Sequence, residues 1–216
     1  MAHPTSFDAR AIVFDLDGVL VDTMPAIRAV WTEWAVGRNL APAEVLASIH
    51  MTGVELIRSF APDVDPRAEL EAIAARQRGL ETSVARYPGA LDLLESLPAE
   101  RWAIVTSARR AGAVRHLTMA GLPEPRVLIA AEDTARGKPD PAGYRLAAER
   151  MGFDPRQCAA IEDSPGGVRA ALDAGMFAIA VATTHAASEL DHARVVLTSL
   201  AGLRIETRAG GIAVSW

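Results

Sequence analysis

The sequence predicts an α/β fold, a doubly wound parallel sheet with an inserted helical subdomain, and three observations point there. Short apolar runs rich in Val, Ile and Ala recur along the chain, and helix-period segments alternate with them. The alternation breaks once, between the first run and the second, where only helical patterns occur. Uninterrupted apolar strands belong to a parallel sheet covered on both faces. Strand followed by helix, repeated, is the doubly wound arrangement.

The first run is Ala11 to Phe14. From about Met24 to Arg86 three apolar stripes follow at helical spacing: Ile27, Val30, Trp31 and Trp34; then Val54, Ile57 and Phe60; then Leu70, Ile73, Leu80 and Val84. Gly37, Pro42, Pro62 and Pro66 separate them. Thr23-Met24-Pro25 and Tyr87-Pro88-Gly89 bound this block, so residues 23–87 read as a helical cap and residues 1–22 with 88–216 as a discontinuous core. The remaining runs are Trp102 to Val105, Val127 to Ala130, Cys158 to Ile161 and Phe177 to Val181, with a weaker one at Val195 to Leu197. Tyr144, Ala147, Ala148 and Met151 form one helical stripe, and Val168, Ala171, Leu172 and Gly175 another. Asp140-Pro141 and Ser164-Pro165 read as N-caps followed by proline at the first helical position. The apolar ending, Ile212 to Trp216, is an extra edge strand or a packing tail.

The 216 residues carry 22 basic and 27 acidic side chains, a net charge of −5, with half the residues hydrophobic. Such a composition excludes disorder, collagen and a disulfide scaffold. No basic run of the kind that tracks phosphates is present, which argues against nucleic acid as partner. The single Cys158 fits a reducing compartment and an inert buried role. No apolar run reaches the roughly 20 residues of a membrane span, and the start MAHPTSFDAR lacks a basic end followed by an apolar stretch. The expectation is a cytoplasmic protein that engages no membrane.

Chemistry gathers where the apolar runs end. The first ends in F-D-L-D-G, which sets Asp15 and Asp17 two residues apart, on one side of a strand if it persists. Buried like charges are costly unless a cation or a proton neutralises them, so the pair asks for a metal or a shared proton. Turn chemistry, with Asp and Gly as turn formers, is the other reading. The second run ends in I-V-T-S, where Thr106 and Ser107 offer hydroxyls for a phosphate cradle or for a helix cap. In A-R-G-K-P-D-P, Lys138 stands between Gly137 and Pro139 as either a rigidly aimed cation or a solvated one. The fourth run ends in I-E-D-S-P-G-G; helix capping accounts for one of Glu162 and Asp163 but hardly for both, and hard oxygen ligands suit Mg²⁺. All four stretches deliver polar groups to the carboxyl ends of parallel strands, the edge where open α/β sheets bind ligands.

In that order, D-L-D-G, T-S, G-K-P-D-P and E-D-S-P-G-G resemble the four motifs of the haloacid dehalogenase superfamily, over nearly the whole chain. The block after the first motif resembles the family's small helical cap on a Rossmann-like core. Y-P-G-A-L-D-L-L-E-S-L-P, W-A-I-V-T-S and I-H-M-T-G-V-E-L-I-R-S-F-A-P-D look like the branch that hydrolyses phosphates of small sugars and polyols, such as 2-deoxyglucose 6-phosphate or glycerol phosphate. The resemblance implies a monomeric Mg²⁺-dependent phosphatase acting on a small phosphorylated metabolite. Asp15 would be the nucleophile that forms an aspartyl-phosphate, and Asp17 the general acid and base. Mg²⁺ would be held by the Asp15 side chain, the Asp17 backbone carbonyl, and Glu162 or Asp163. Thr106, Lys138 and backbone N–H groups near Ser107 would hold the phosphoryl oxygens.

For substrate choice the cap offers His50 and Thr52 first, then Arg58, Arg28 and Glu33. Trp31 and Trp34 read as cap core in preference to a sugar-stacking face, and His116 has no evident chemical partner. A phosphomutase of the β-phosphoglucomutase type could use the same core residues. A dehalogenase needs neither Mg²⁺ nor the paired acids, and a non-catalytic phosphate sensor would not need the full set of reactive groups.

Overall fold

The structure, a computed structural model, describes residues 6–81, 83–208 and 210–216. The first five residues of the expected core segment lie outside the described ones. In chain order the elements are β1 (Ser6–Ala9), β2 (Ala11–Phe14), β3 (Val21–Asp22), α1 (Met24–Gly37), α2 (Pro42–Ala47), α3 (Gly53–Phe60), α4 (Pro66–Leu80), β4 (Ala85–Arg86), α5 (Ala90–Glu95), β5 (Trp102–Val105), α6 (Arg110–Ala120), β6 (Val127–Ile129), α7 (Ala142–Met151), β7 (Cys158–Glu162), α8 (Pro165–Ala174), β8 (Phe177–Val181), β9 (Val195–Leu197), β10 (Arg204–Arg208) and β11 (Gly211–Ser215).

Six of these strands form one sheet in the order β6-β5-β2-β7-β8-β9, and every pairing in it is parallel. This is the doubly wound fold that the apolar runs predict. Alternate residues of β2 enter opposite layers: Ile12 and Phe14 pack with Leu94, Trp102, Ile104 and Leu117, while Ala11 and Val13 pack with Tyr144, Ala147 and Val168. Both layers are apolar, so each strand is apolar throughout. Strand order reverses at β2, whose neighbours are β5 and β7, and a crevice opens at such a switch point beyond the carboxyl ends.

Between β3 and β4 stand four helices with a core of their own, built on Val30, Trp31, Trp34, Val45, Leu56, Ile57 and Ile73. The two tryptophans meet edge to face, and Trp34 Nε1 donates to Glu69 Oε1 at 2.8 Å, so the pair is cap core. One stripe needs correcting: α4 stops at Leu80, which is exposed, and Val84 lies beyond the helix and packs into the sheet core instead. The fourth helix, α2, is too short to show a stripe. The segments entering and leaving the block are joined, Val21 opposite Arg86 and Asp22 opposite Ala85.

At the core's helix starts, Ser164 caps α8 by accepting from Gly167 N at 3.1 Å, as expected. α7 begins one residue later than the proline pattern suggests, with Asp140 Oδ1 accepting from Ala142 N at 3.0 Å. The chain's end is a strand, but a central one and not an edge: β11 lies between β1 and β10 in a separate antiparallel sheet, where Phe7 stacks on Phe177 and Trp216 leans on the same ring. Among the described residues no helix is long and apolar enough to cross a membrane.

Candidate active site

β2 delivers Asp15 and β7 delivers Glu162, side by side at the switch point, with Asp163 next in the chain; all three are buried. One carboxylate oxygen from each lies within 4.8 Å of the other two, close enough to share a divalent cation. Lys138 comes in from the loop before α7 and is only 7% exposed, which excludes the solvated alternative. Its Nζ donates to Asp15 Oδ1 and, at 2.5 Å, to Glu162 Oε1.

Glu162 has no free acceptor direction left. Tyr144 Oη donates to Oε1 at 2.6 Å, while Oε2 takes Asp163 N at 3.1 Å, Ser164 N at 3.3 Å and Ser164 Oγ at 3.1 Å. Burial pushes its pKa up, but Lys138 and these donors outweigh that and hold the carboxyl below its usual value. Glu162 therefore aims Lys138. Asp15 and Asp163 are the less committed carboxylates. Burial, against the pull of Lys138 and with the help of Glu162 and Asp17, pushes Asp15 up to about 7. Burial and then the charges of Asp15 and Glu162 push Asp163 up as well, with Thr184 Oγ1 donating to its Oδ2. Two buried carboxylates that one lysine leaves short of positive charge, both hard oxygen donors, fit Mg²⁺. Gly18, at φ +93°, permits the close approach, since a Cβ there would fall 2.2 Å from Asp163 Oδ2.

The Asp17 side chain is not part of this triad. Thr23 Oγ1 donates to its Oδ1 at 2.5 Å and Thr106 Oγ1 to its Oδ2 at 3.3 Å. Thr106 also accepts from Ala108 N at 3.0 Å, and the N-cap of α6 is Arg109, so the threonine does not cap that helix. His116, which showed no partner in the sequence, lies with Nδ1 3.3 Å from Asp17 Oδ1 and Nε2 3.2 Å from Glu81 Oε2. Burial would lower the imidazole's pKa, but the two flanking carboxylates reverse that and raise it to about 9.

The cap closes over these groups around a cavity of about 1120 Å³, with Asp15, Asp17, Thr106 and Lys138 on its core side and His50 and Glu55 on its cap side. Ser107 Oγ donates to the His50 backbone carbonyl at 2.7 Å, so that hydroxyl meets the cap. The His50 ring lies over Gly166, where a Cβ would come within 2.4 Å of it. Thr52 caps α3 in a reciprocal box with Glu55, its hydroxyl donating to Glu55 Oε2 at 2.6 Å. Glu55 in turn accepts from Gly137 N at 3.0 Å, next to Lys138. Arg58 lines the same cavity, whereas Glu33 pairs with Arg76 on the exposed side of the cap. Sequence reasoning missed Thr23, Glu55, Tyr144 as a hydroxyl, His116 and Thr184. His116 alone left a trace: with Ala113, Leu117 and Ala120 it completes a buried helical stripe.

An acidic triad tied to one lysine at the switch point of a parallel sheet, under a helical lid, defines a hydrolase that works through carboxylates. The chain belongs to the haloacid dehalogenase-like hydrolases, whose family model matches residues 9–175. It is 36% identical over 208 residues to hexitol phosphatase A of Escherichia coli, covering 94% of this chain and 96% of that one. To glycerol-1-phosphate phosphohydrolase 2 of Saccharomyces cerevisiae it is 33% identical over 196 residues, 84% and 78% covered. Among solved structures, a hydrolase from Pseudomonas syringae superimposes with a TM-score of 0.78 at 27% identity, covering 87% of this chain and 92% of that one. The protein is an enzyme of this family's phosphatase kind.

Proposed function

We propose that the protein hydrolyses phosphate monoesters of small sugars or polyols, with Mg²⁺, through an aspartyl-phosphate on Asp15. The observation that carries the reading is the buried cluster of Asp15, Lys138 and Asp163 opening into a cavity that the cap closes. The relation to a hexitol phosphatase and a glycerol-phosphate phosphohydrolase supports the substrate class. Residues 23–87 act as the cap and the rest as the core.

A carboxylate oxygen of Asp15 attacks phosphorus, and the bond from phosphorus to the ester oxygen breaks. Asp17 gives its proton to the leaving alkoxide, then takes one from the water that attacks the aspartyl-phosphate, which frees phosphate and regenerates Asp15. Lys138, Thr106 and backbone N–H groups beyond the strand ends hold the phosphoryl oxygens, over which charge spreads in the transition state. Asp15 and Asp163, with the Asp17 backbone carbonyl, would hold the Mg²⁺. When bound, the ion screens the nucleophile from the phosphate dianion. His50 and Thr52 stand on the cap side of the cavity, where the substrate's hydroxyls face them.

The test is a panel of hexitol, glycerol and hexose phosphates incubated with protein and Mg²⁺, read for free phosphate and for isomerised sugar phosphate. Free phosphate from the hexitol and glycerol esters is the expected result. Isomer without phosphate would make the protein a mutase and overturn the proposal.

A further inference from the structure

His116 belongs to none of the four stretches that meet at the sheet edge, yet it stands at the wall of the site. α6 buries it to 3% exposure among Ala113, Leu117 and Ala120, a place where a leucine would serve packing better. Carboxylates stand at both ring nitrogens. Glu81, at the C-terminal cap of α4 on the chain's return from the cap, already accepts from Gln77 Nε2 at 2.6 Å and from Arg115, so it is satisfied without the histidine. Asp17 is a different case. Nδ1 lies 3.3 Å from its Oδ1 but off the line of a hydrogen bond, and among the described residues this buried nitrogen has no other partner. A buried unpartnered nitrogen is costly, and here it stands 3.3 Å from one of the reacting groups.

We propose that His116 is a positioning residue that fixes the Asp17 carboxylate for proton transfer, and that Glu81 anchors the imidazole from the cap side. The inference rests on the reading of Asp17 as general acid and base. Both crossings between core and cap then bear on one carboxylate: the first directly through Thr23, the second through Glu81 and His116.

The experiment compares two esters in the first turnover of the Mg²⁺-loaded full chain. A hexitol phosphate needs its alkoxide protonated as it leaves, whereas p-nitrophenyl phosphate has a leaving group stable without a proton. Full acid–base assistance is worth about 10²–10⁴-fold, so misplacing the acid in His116→Leu should slow cleavage of the hexitol ester by about 10- to 100-fold. KM should stay within about threefold, and so should the burst of p-nitrophenolate. His116→Gln, which keeps a donor, should recover part of the loss, and Glu81→Gln should show a smaller loss with the same split. In an Asp17→Asn background His116→Leu should cost nothing further.

Equal losses with both esters, a loss that persists beside Asp17→Asn, or no loss at all would overturn the proposal. If His116→Leu does not fold, His116→Gln and Glu81→Gln carry the same comparison. Asp17→Asn alone separates the two levels. Wild-type cleavage of the hexitol ester there would refute the role of Asp17 itself, whereas a loss there with none in the His116 variants would refute the positioning role only.

Discussion

Replacing Lys138 with methionine removes the one ammonium set among three buried carboxylates while keeping most of the side chain's volume. Breaking a buried ion pair from one side costs about 3–5 kcal/mol, because the remaining charge has neither water nor partner. For a chain of this length each kcal/mol corresponds to roughly 2–4 °C, so the midpoint of thermal unfolding, measured in a chelator at pH 7, should fall by about 6–20 °C. The pH dependence has a definite sign. In the native protein Lys138 leads the interactions that hold Glu162 below its ordinary value of 4.5 against burial. That contribution is present above 4.5 and lost as pH falls through the depressed value. Without the lysine burial prevails, the Glu162 and Asp15 carboxyls rise, and acid relieves the strain by protonating them. The deficit of the variant should therefore shrink between pH 7 and pH 5. Mg²⁺ at a hundred times its dissociation constant should stabilise the variant by about 2.7 kcal/mol over its own value in chelator. Urea titrations followed by tryptophan fluorescence measure the loss and its dependence on pH and Mg²⁺. A variant within about 1 kcal/mol of the native protein at pH 7 in chelator, or a deficit identical at both pH values, would refute the account of the cluster.

Asp15→Asn should release no phosphate above background while melting at or slightly above the native temperature, since it removes a carboxylate that burial disfavours; calorimetry beside the phosphate assay checks both. Gly167→Ala should be among the most damaging single changes in the core. Its Cβ would stand 1.9 Å from the Glu162 carboxyl carbon, and a loss of about 3 kcal/mol or more in urea unfolding is expected. Glu55→Ala breaks the contact between α3 and Gly137, worth about 1.5–3 kcal/mol as a hydrogen bond to a charged group. A cap so loosened should raise KM about tenfold or more, and an unchanged KM would show that Glu55 does not hold the cap down.

The parts of the fold legible in the sequence are those buried on two sides. β2, β5, β7 and β8 read as apolar runs because both faces of the sheet are covered, and their carboxyl ends located Asp15, Thr106 and Glu162. The second sheet was nearly silent: β10 is largely exposed and polar and β1 is half so over only four residues, so pairing with β11, not side-chain pattern, makes them strands. β3 and β4, two residues each, carry no periodicity at all. The division of labour between Glu162 and Asp163 was equally hidden. Adjacent acids look alike in a sequence, and only the tertiary arrangement sends Lys138, Tyr144 and Ser164 to one of them and leaves the other to Thr184. His116 could have been weighed as a polar residue in an apolar stripe, but both of its partners come from distant segments.

The central place of β2 has a consequence for the order in which the molecule assembles. Its two neighbours are Trp102–Val105 and Cys158–Glu162, so the strand that bears Asp15 has no partner until the first of them has been synthesised and is paired on both edges only after the second. The cap's apolar cluster, by contrast, draws only on residues from Ile27 to Ile73 and is complete long before then. Local contacts form fast and distant parallel pairings slowly. On a ribosome the cap is thus ready to fold while β2 is still waiting for its partners, and the reactive centre comes into being only well after the cap that covers it.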